Sequence, residues 1–311
     1  MAPHQPRQKR GRIIDGWIIL DKPQGITSAH AVARIKRALQ AAKVGHGGTL
    51  DPLATGVLPI ALGRATKMVP YVMDGSKRYR FTLCFGEARD TDDADGAVVA
   101  TSAIRPETSA IEGVLGRFRG NIMQVPPAFS AIKIGGERAY DLARAGLAPE
   151  LPPRPAQVSR FELVDRPDAD HAIFEVESGK GVYMRSLARD VALAVNTVGH
   201  IAALRRLSVG PFEEAAAIPL DKITDSGDSP GADSSFLLPV GTALDDIPAL
   251  ALTETEAAAL GNGQALSLVQ FMGRIHPSCD PNGGLARLMT SGRFVALGRL
   301  GDGLLKPERV L

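Results

Sequence analysis

The sequence predicts an α+β fold, with one large domain followed by a small β-rich one. Three observations carry this. Tyr79, Phe81, Leu83 and Phe85 alternate with Arg80, Thr82 and Cys84, and Phe174 and Val176 alternate with Glu175 and Glu177, so each segment is a strand with one buried face. Apolar residues at helical spacing lie between and around these strands: Val32, Ile35 and Leu39; Ile111, Leu115 and Phe118; Leu187, Val191 and Val195. From Leu266 onward, short apolar runs at 285–289, 294–300 and 310–311 are separated by Gly and Asp turns. With 311 residues, 44% of them hydrophobic, the chain can bury a substantial core.

In order, residues 1–12 carry Arg7, Lys9, Arg10 and Arg12 and read as a disordered basic arm. Residues 13–20, with Trp17, read as a first buried strand, and Asp21-Lys22-Pro23-Gln24-Gly25 as a turn. Thr27 or Ser28 can cap the next helix, whose other face is basic through Arg34, Lys36 and Arg37. A glycine-rich loop spans 45–56, an apolar run follows at 57–62, and a short helix is expected at 68–73. Ser109 and Glu112 have capping-box spacing for a helix ending near Gly120. Residues 125–155, proline-rich at both ends, read as a projecting insertion with a helix around 140–145. A strand ends at Ser178, and Gly179-Lys180-Gly181-Val182-Tyr183-Met184-Arg185 feeds a helix. Residues 224–235 have linker composition, and 253–260 form a short helix.

The net charge of +2 hides an asymmetry. Residues 1–80 carry fourteen Lys/Arg against four Asp/Glu, a surplus of ten, so the remainder is eight negative. A basic N-terminal third points to a polyanionic partner, against the rival that it is only a solvated surface. Cys84 and Cys279 are isolated, which suits a reducing cytoplasm. The early apolar run is broken by Asp15 and Gly16 and is too short for a membrane span, so no membrane or targeting segment is expected.

The chemistry concentrates in Gly45-His46-Gly47-Gly48-Thr49-Leu50-Asp51-Pro52-Leu53-Ala54-Thr55-Gly56. Glycine permits close backbone approach or positive φ, and Pro52 restricts Asp51 to an extended or turn conformation. The loop should rigidly present one carboxylate and one imidazole. A two-carboxylate hydrolase needs a second acid, and none is near in sequence. His46 and Asp51 alone make a weak metal set, and no nucleophile-elbow serine is present. The phosphate-binding pattern G-x-G-x-x-G fails at Leu50. Asp90, Asp92, Asp93 and Asp95 suggest a calcium loop, but counting from Asp90 the sixth residue is Asp95 and the twelfth Thr101, so this is an acidic turn. A single Asp acting as nucleophile or base, without a cofactor, on a polyanion is the chemistry left.

That loop resembles the catalytic motif of the TruB family of tRNA pseudouridine synthases, bacterial type. Further motifs follow in the family's order: Leu20-Asp21-Lys22-Pro23-Gln24-Gly25, Lys77-Arg78-Tyr79-Arg80, Asp90-Thr91-Asp92 with Asp95-Gly96, Ser178-Gly179-Lys180-Gly181-Val182-Tyr183-Met184-Arg185, and Leu204-Arg205-Arg206-Leu207. The resemblance implies a pseudouridine synthase fold over 13–245, with a central, mostly antiparallel mixed sheet flanked by helices. It also implies an RNA-gripping insertion at 125–155 and a PUA-like C-terminal domain at 246–311. It implies that no metal or cofactor is used, and that the target base is flipped out of its stack.

By the same resemblance, Asp51 is the catalytic residue. Tyr79 stacks on the flipped base and is a candidate to take the C5 proton. Arg185 orients Asp51, Leu204 packs against the nucleotide, and His46 fills or supports the space the base leaves. Lys22 belongs to a structural, RNA-facing turn, and Tyr183 joins the substrate-binding set. For Lys22, Tyr183 and Leu204 plain scaffolding is the rival role. The expected reaction is isomerisation of uridine 55 in the T-loop of tRNA. The expected partner is the T-arm stem-loop, met by a monomer that needs no other protein. Two rival readings are a non-catalytic tRNA-binding and folding module, and a relative acting on another RNA inside a larger complex.

Overall fold

The computed structural model describes residues 11–130, 132–144, 147, 151–224 and 236–311, and within it the strands form one ten-stranded mixed sheet, a separate five-stranded one and two two-stranded pairs. The basic arm at 1–10 and the linker reading of 225–235 fall outside the described residues. The chain runs through β1 (Gly16–Lys22), α1 (Ser28–Ala38), β2 (Val44–His46), β3 (Thr55–Leu62), α2 (Val69–Asp74) and β4 (Lys77–Phe85). The two-stranded pair β5 (Glu87–Arg89) and β6 (Val98–Thr101) precedes α3 (Thr108–Leu115) and β7 (Gly120–Gln124). The insertion holds β8 (Lys133–Ile134), β9 (Glu137–Arg138) and α4 (Ala139–Arg144). Then come β10 (Arg154–Asp165), β11 (His171–Ser178), α5 (Met184–Ala194), β12 (Gly199–Val209), β13 (Phe212–Glu213), β14 (Ile218–Pro219) and α6 (Leu220–Thr224).

The large sheet has the order β14-β1-β3-β12-β4-β11-β10-β7, with β2 beside β3 and β13 beside β12. Only β1 with β14 and β3 with β12 pair parallel among these strands. Both faces are covered. Ile18, Leu20, Leu58 and Ile60 join the core that holds the stacked rings of Phe81 and Phe174. Trp17, Ile19, Val57 and Ala61, on the opposite parity, pack on the other face with Phe212, Leu244 and Leu297. Burial on two faces is why β1 and β3 read as continuous apolar runs rather than alternations.

The C-terminal unit holds β15 (Ala249–Ala251), α7 (Glu254–Gly261), β16 (Leu266–Ser267), β17 (Leu285–Thr290), β18 (Arg293–Gly301) and β19 (Leu304–Val310), with sheet order β15-β17-β18-β19-β16. Thr253 and Glu256 close a reciprocal capping box on α7. The second core joins this unit to the back of the large sheet through Leu297, Leu285 and Phe294, and on the same face Trp17 Nε1 donates to Val240 O at 3.1 Å, ahead of the unit. Among the described residues no helix is long and apolar enough to cross a membrane.

Several local expectations need correction. The first strand starts at Gly16, with Ile13 88% exposed, and it continues through Asp21 and Lys22, so the turn begins at Pro23. Thr27 is the cap of α1, accepting from His30 N, and Ser28 has another task described below. Helix α3 begins one residue before Ser109, with Glu107 at the N-cap and no side-chain cap bond, so Ser109 and Glu112 close no capping box. The last strand is seven residues long and starts at Leu304, well before the apolar pair 310–311.

Candidate active site

The glycine-rich loop leaves β2, crosses the end of the large sheet and enters β3 where that strand runs parallel to β12, Gly56 standing opposite Arg206. Gly56 has φ +98°, and a Cβ there would lie 2.2 Å from Arg206 O, so the strand junction admits only glycine. Ser28 clamps the loop from α1: its Oγ accepts from Leu50 N at 2.8 Å and donates to Leu50 O at 3.1 Å. Gly25 N donates to Pro52 O at 2.8 Å, and Ala54 N to Asp51 O at 3.1 Å. The backbone around Asp51 is therefore held from both sides.

Asp51 keeps 40% of its side chain exposed, and Arg185, only 7% exposed, places Nη2 2.9 Å from its Oδ2. The rest of the guanidinium is used by the protein: Nη1 donates to Thr91 O at 3.1 Å, Nη2 to Phe129 O at 3.0 Å, and Nε lies 3.6 Å from Asp93 Oδ2. Arg185 sits in the first turn of α5, whose N-cap is Tyr183. Gln124 fixes that cap reciprocally, accepting from Tyr183 N at 2.8 Å and donating to Tyr183 O at 3.0 Å. Ser186 Oγ and Arg189 Nη2 both donate to Val125 O, tying the start of the insertion to the same helix.

The acidic turn is a wall of this site. Asp93 Oδ1 accepts from Thr91 Oγ1 at 2.6 Å and from Asp95 N at 3.2 Å, while Asp92, at φ +61°, pairs with Arg189 at 2.9 Å. Burial pushes the Asp92 carboxyl up, against the pull of Arg189 and Arg185. Ala94 N and Ile201 N bond across to Ile201 O and Asp92 O, stitching the turn to β12.

The residues expected from the sequence divide into groups. Asp51, Arg185 and Tyr183 come together: burial raises the Tyr183 phenol, and the charges of Arg185 and Asp51 both act on it, in opposite senses. Lys22 lies beneath the loop instead of facing outward. It is 0% exposed, and its ammonium donates to Pro23 O and Ile26 O at 2.8 Å and to Pro52 O at 3.4 Å. Burial lowers its pKa to about 8, opposed by the Asp51 charge. Its ammonium thus ties the turn at Pro23 and Ile26 to the underside of the loop at Pro52. Leu204 is 8% exposed within the first core. Tyr79 packs partly buried against that core from β4. His46 is half-buried on β2; burial first and the Arg206 charge second hold its imidazole below the usual histidine range. Its Nδ1 is buried with no hydrogen-bond partner among the described residues.

Four residues around these were missed from sequence: Ser28, Asp93, Gln124 and Arg206. Arg206 carries a signal only once β12 is known to be a strand. It shares strand parity with Leu204, so a cation sits where a core side chain belongs.

The chain as a whole matches known families. Residues 36–184 match the TruB family pseudouridylate synthase (N terminal domain), 185–245 the tRNA pseudouridylate synthase B C-terminal domain, and 248–311 the pseudouridine synthase II TruB, C-terminal family. The tRNA pseudouridine synthase B of Gluconacetobacter diazotrophicus is 65% identical over 98% of this chain and 100% of its own length. That of Bradyrhizobium diazoefficiens is 55% identical, over 99% of this chain and 88% of its own. Among solved structures, a chain of a Cbf5-Nop10-Gar1 complex is 28% identical with a TM-score of 0.74, covering 96% of this chain and 85% of its own. A chain of an H/ACA RNP bound to a substrate RNA containing 2'-deoxyuridine is 26% identical with a TM-score of 0.72, covering 98% and 91%.

Proposed function

The chain belongs to the TruB family of pseudouridylate synthases, and on that premise we propose that it isomerises uridine 55 in the T-loop of tRNA to pseudouridine, with Asp51 as the catalytic residue. The observation that carries this is the Asp51–Arg185 pair at 2.9 Å on a loop held rigid from both sides. A carboxylate oriented by an almost buried guanidinium, yet open over 40% of its side chain, suits attack or base catalysis on a nucleotide brought to it. The target uridine has to leave its stack to reach that carboxylate.

Tyr79 then supplies the aromatic face for the flipped base, Leu204 the apolar floor, and His46 the support for the opened RNA. The surplus of ten positive charges in residues 1–80 supplies the phosphate-binding field. Residues 125–155 grip the RNA and 246–311 act as a PUA-like module. The enzyme works as a monomer in the cytoplasm, on the T-arm alone.

Release of tritium from tRNA labelled at uridine C5 tests this directly. The wild type is expected to release label stoichiometrically with pseudouridine formed, and Asp51→Asn to release none while binding tRNA normally. Turnover that persists in Asp51→Asn would remove Asp51 from the role. Bound but unconverted tRNA with the wild type would favour the folding-module reading.

A further inference from the structure

Arg206 is 1% exposed, one of the largest side chains wholly inside the protein. Its guanidinium donates Nε to Val57 O at 2.7 Å, Nη2 to Gly48 O at 3.1 Å and Nη1 to Thr49 O at 3.4 Å. Neither those bonds nor the charges acting on it include a carboxylate among the described residues. A buried guanidinium without an acid is costly, so its other contact matters. In the β12–β4 pair Arg206 stands opposite Tyr79, and opposed residues of neighbouring strands project to the same face. In that register, burial pulls the arginine's pKa down and the neighbouring Tyr79 raises it. A guanidinium has no acceptor, so in any bond between the two the phenol oxygen accepts and its own proton points elsewhere.

One group therefore holds two parts of the site. Gly48 and Thr49 are the third and second residues before Asp51, and Tyr79 arrives from a different strand. Gly48, at φ +110°, brings its backbone near enough that a Cβ there would lie 3.6 Å from Arg206 Nη1. We propose that Arg206 is a positioning residue, whose single buried fork fixes the Tyr79 hydroxyl and the backbone carrying Asp51 in one geometry, so that ring and carboxylate meet the base together. This deepens the pseudouridine-synthase reading and rests on it. Lysine, a point donor on a flexible stem, cannot serve three carbonyls and a phenol at once.

The chain has four tyrosines, Tyr71, Tyr79, Tyr140 and Tyr183, so enzyme labelled with 3-fluorotyrosine should give four 19F lines, with Tyr79 assigned by its loss in Tyr79→Phe. In Arg206→Lys and Arg206→Gln the Tyr79 line should move further than the other three. Single-turnover conversion of tRNA should fall about 100-fold, the cost of a small misplacement of reacting groups, with tRNA affinity within a few-fold of wild type. In the Tyr79→Phe background the same substitutions should cost clearly less than in wild type, since the hydroxyl is already gone and only the bonds to the loop carbonyls remain to be lost. An unmoved Tyr79 line in a folded variant overturns the proposal, as does an equal loss in both backgrounds. If Arg206→Gln fails to fold, Arg206→Lys carries the same readings. If the wild type makes no pseudouridine, the functional reading falls, while the fluorine lines still decide the Arg206–Tyr79 contact.

Discussion

Arg185 reaches the Asp51 carboxylate at 2.9 Å while Thr91 O, Phe129 O and Asp93 take up the rest of its guanidinium. The Asp51 loop, the acidic turn and the segment at Phe129 thus converge on one side chain. Arg185→Lys keeps the charge but loses the fork that serves four partners. Single-turnover conversion should fall by about two orders of magnitude, with tRNA binding nearly unchanged. Asp93→Asn should move the rate in the same direction by a smaller factor. Rapid-quench conversion beside filter binding separates the two quantities, and a loss confined to binding would contradict the assignment.

His46 and Asp51 share a loop but should not share a task. His46→Ala should slow conversion about tenfold, within the range of a lost positioning contact, against complete loss in Asp51→Asn. The imidazole also has a pH signature. Burial and then the Arg206 charge hold it below its ordinary 6.5, so on acidification the unfolded chain takes up the proton first and stability falls. His46→Gln should therefore lose less stability than wild type between pH 7 and pH 5. Urea midpoints of the two proteins at both pH values decide it.

The parts of the site legible in the sequence were those whose signals are local. Asp51 stands out because four glycines and Pro52 surround it, and Tyr79 because β4 alternates cleanly with one face in the core. Strand β12 was not legible as a strand: it lies in the middle of the sheet, pairs with β3 and β4, and is buried on most of its length, so no alternation marks it. Arg206 went unassigned for the same reason. Lys22 looked like part of an exposed turn because the three carbonyls that hold it come from Pro23, Ile26 and Pro52, the last thirty residues away. Ser109 and Glu112 have the spacing of a capping box, but the N-cap is Glu107, two residues earlier, and spacing cannot report that phase.

Lys22 under the loop makes a prediction about what it does not do. With its ammonium wholly internal, Lys22→Met should leave tRNA affinity within a few-fold of wild type. Its pKa is lowered to about 8 by burial, against 10.5 in an open chain. Between those values the unfolded chain holds a proton that the folded one gives up, so wild-type stability gains as pH rises through the window. Lys22→Met should show a smaller gain between pH 8 and pH 10.5. It should not lose the gain altogether, because Lys77, buried and donating to Met73 O and Gly75 O, carries the same lowering to about 8. Guanidinium unfolding across that range is the measurement, and a large fall in tRNA affinity would return Lys22 to the RNA-facing surface.

Gly56 and Gly292 both adopt positive φ, at +98° and +74°, yet alanine should treat them very differently. At Gly292, in the turn between β17 and β18, an added Cβ meets nothing within 4 Å, so Gly292→Ala should cost only the conformational penalty, about 1–2 kcal/mol. At Gly56 the Cβ would stand 2.2 Å from Arg206 O and 2.9 Å from Arg206 N, both backbone atoms of the neighbouring strand. Neither can step aside without parting β3 from β12, the parallel junction from which the Asp51 loop departs. Gly56→Ala should therefore lose more than about 4 kcal/mol, the range reserved for forced backbone strain and overpacking. Whatever folds should also convert tRNA poorly, because the displaced strand carries Arg206 and, with it, the carbonyls of Gly48 and Thr49. Denaturant midpoints for the two alanine variants, read beside single-turnover rates, test this. Equal losses at the two glycines would mean that the close approach of Gly56 to Arg206 is not what holds the junction.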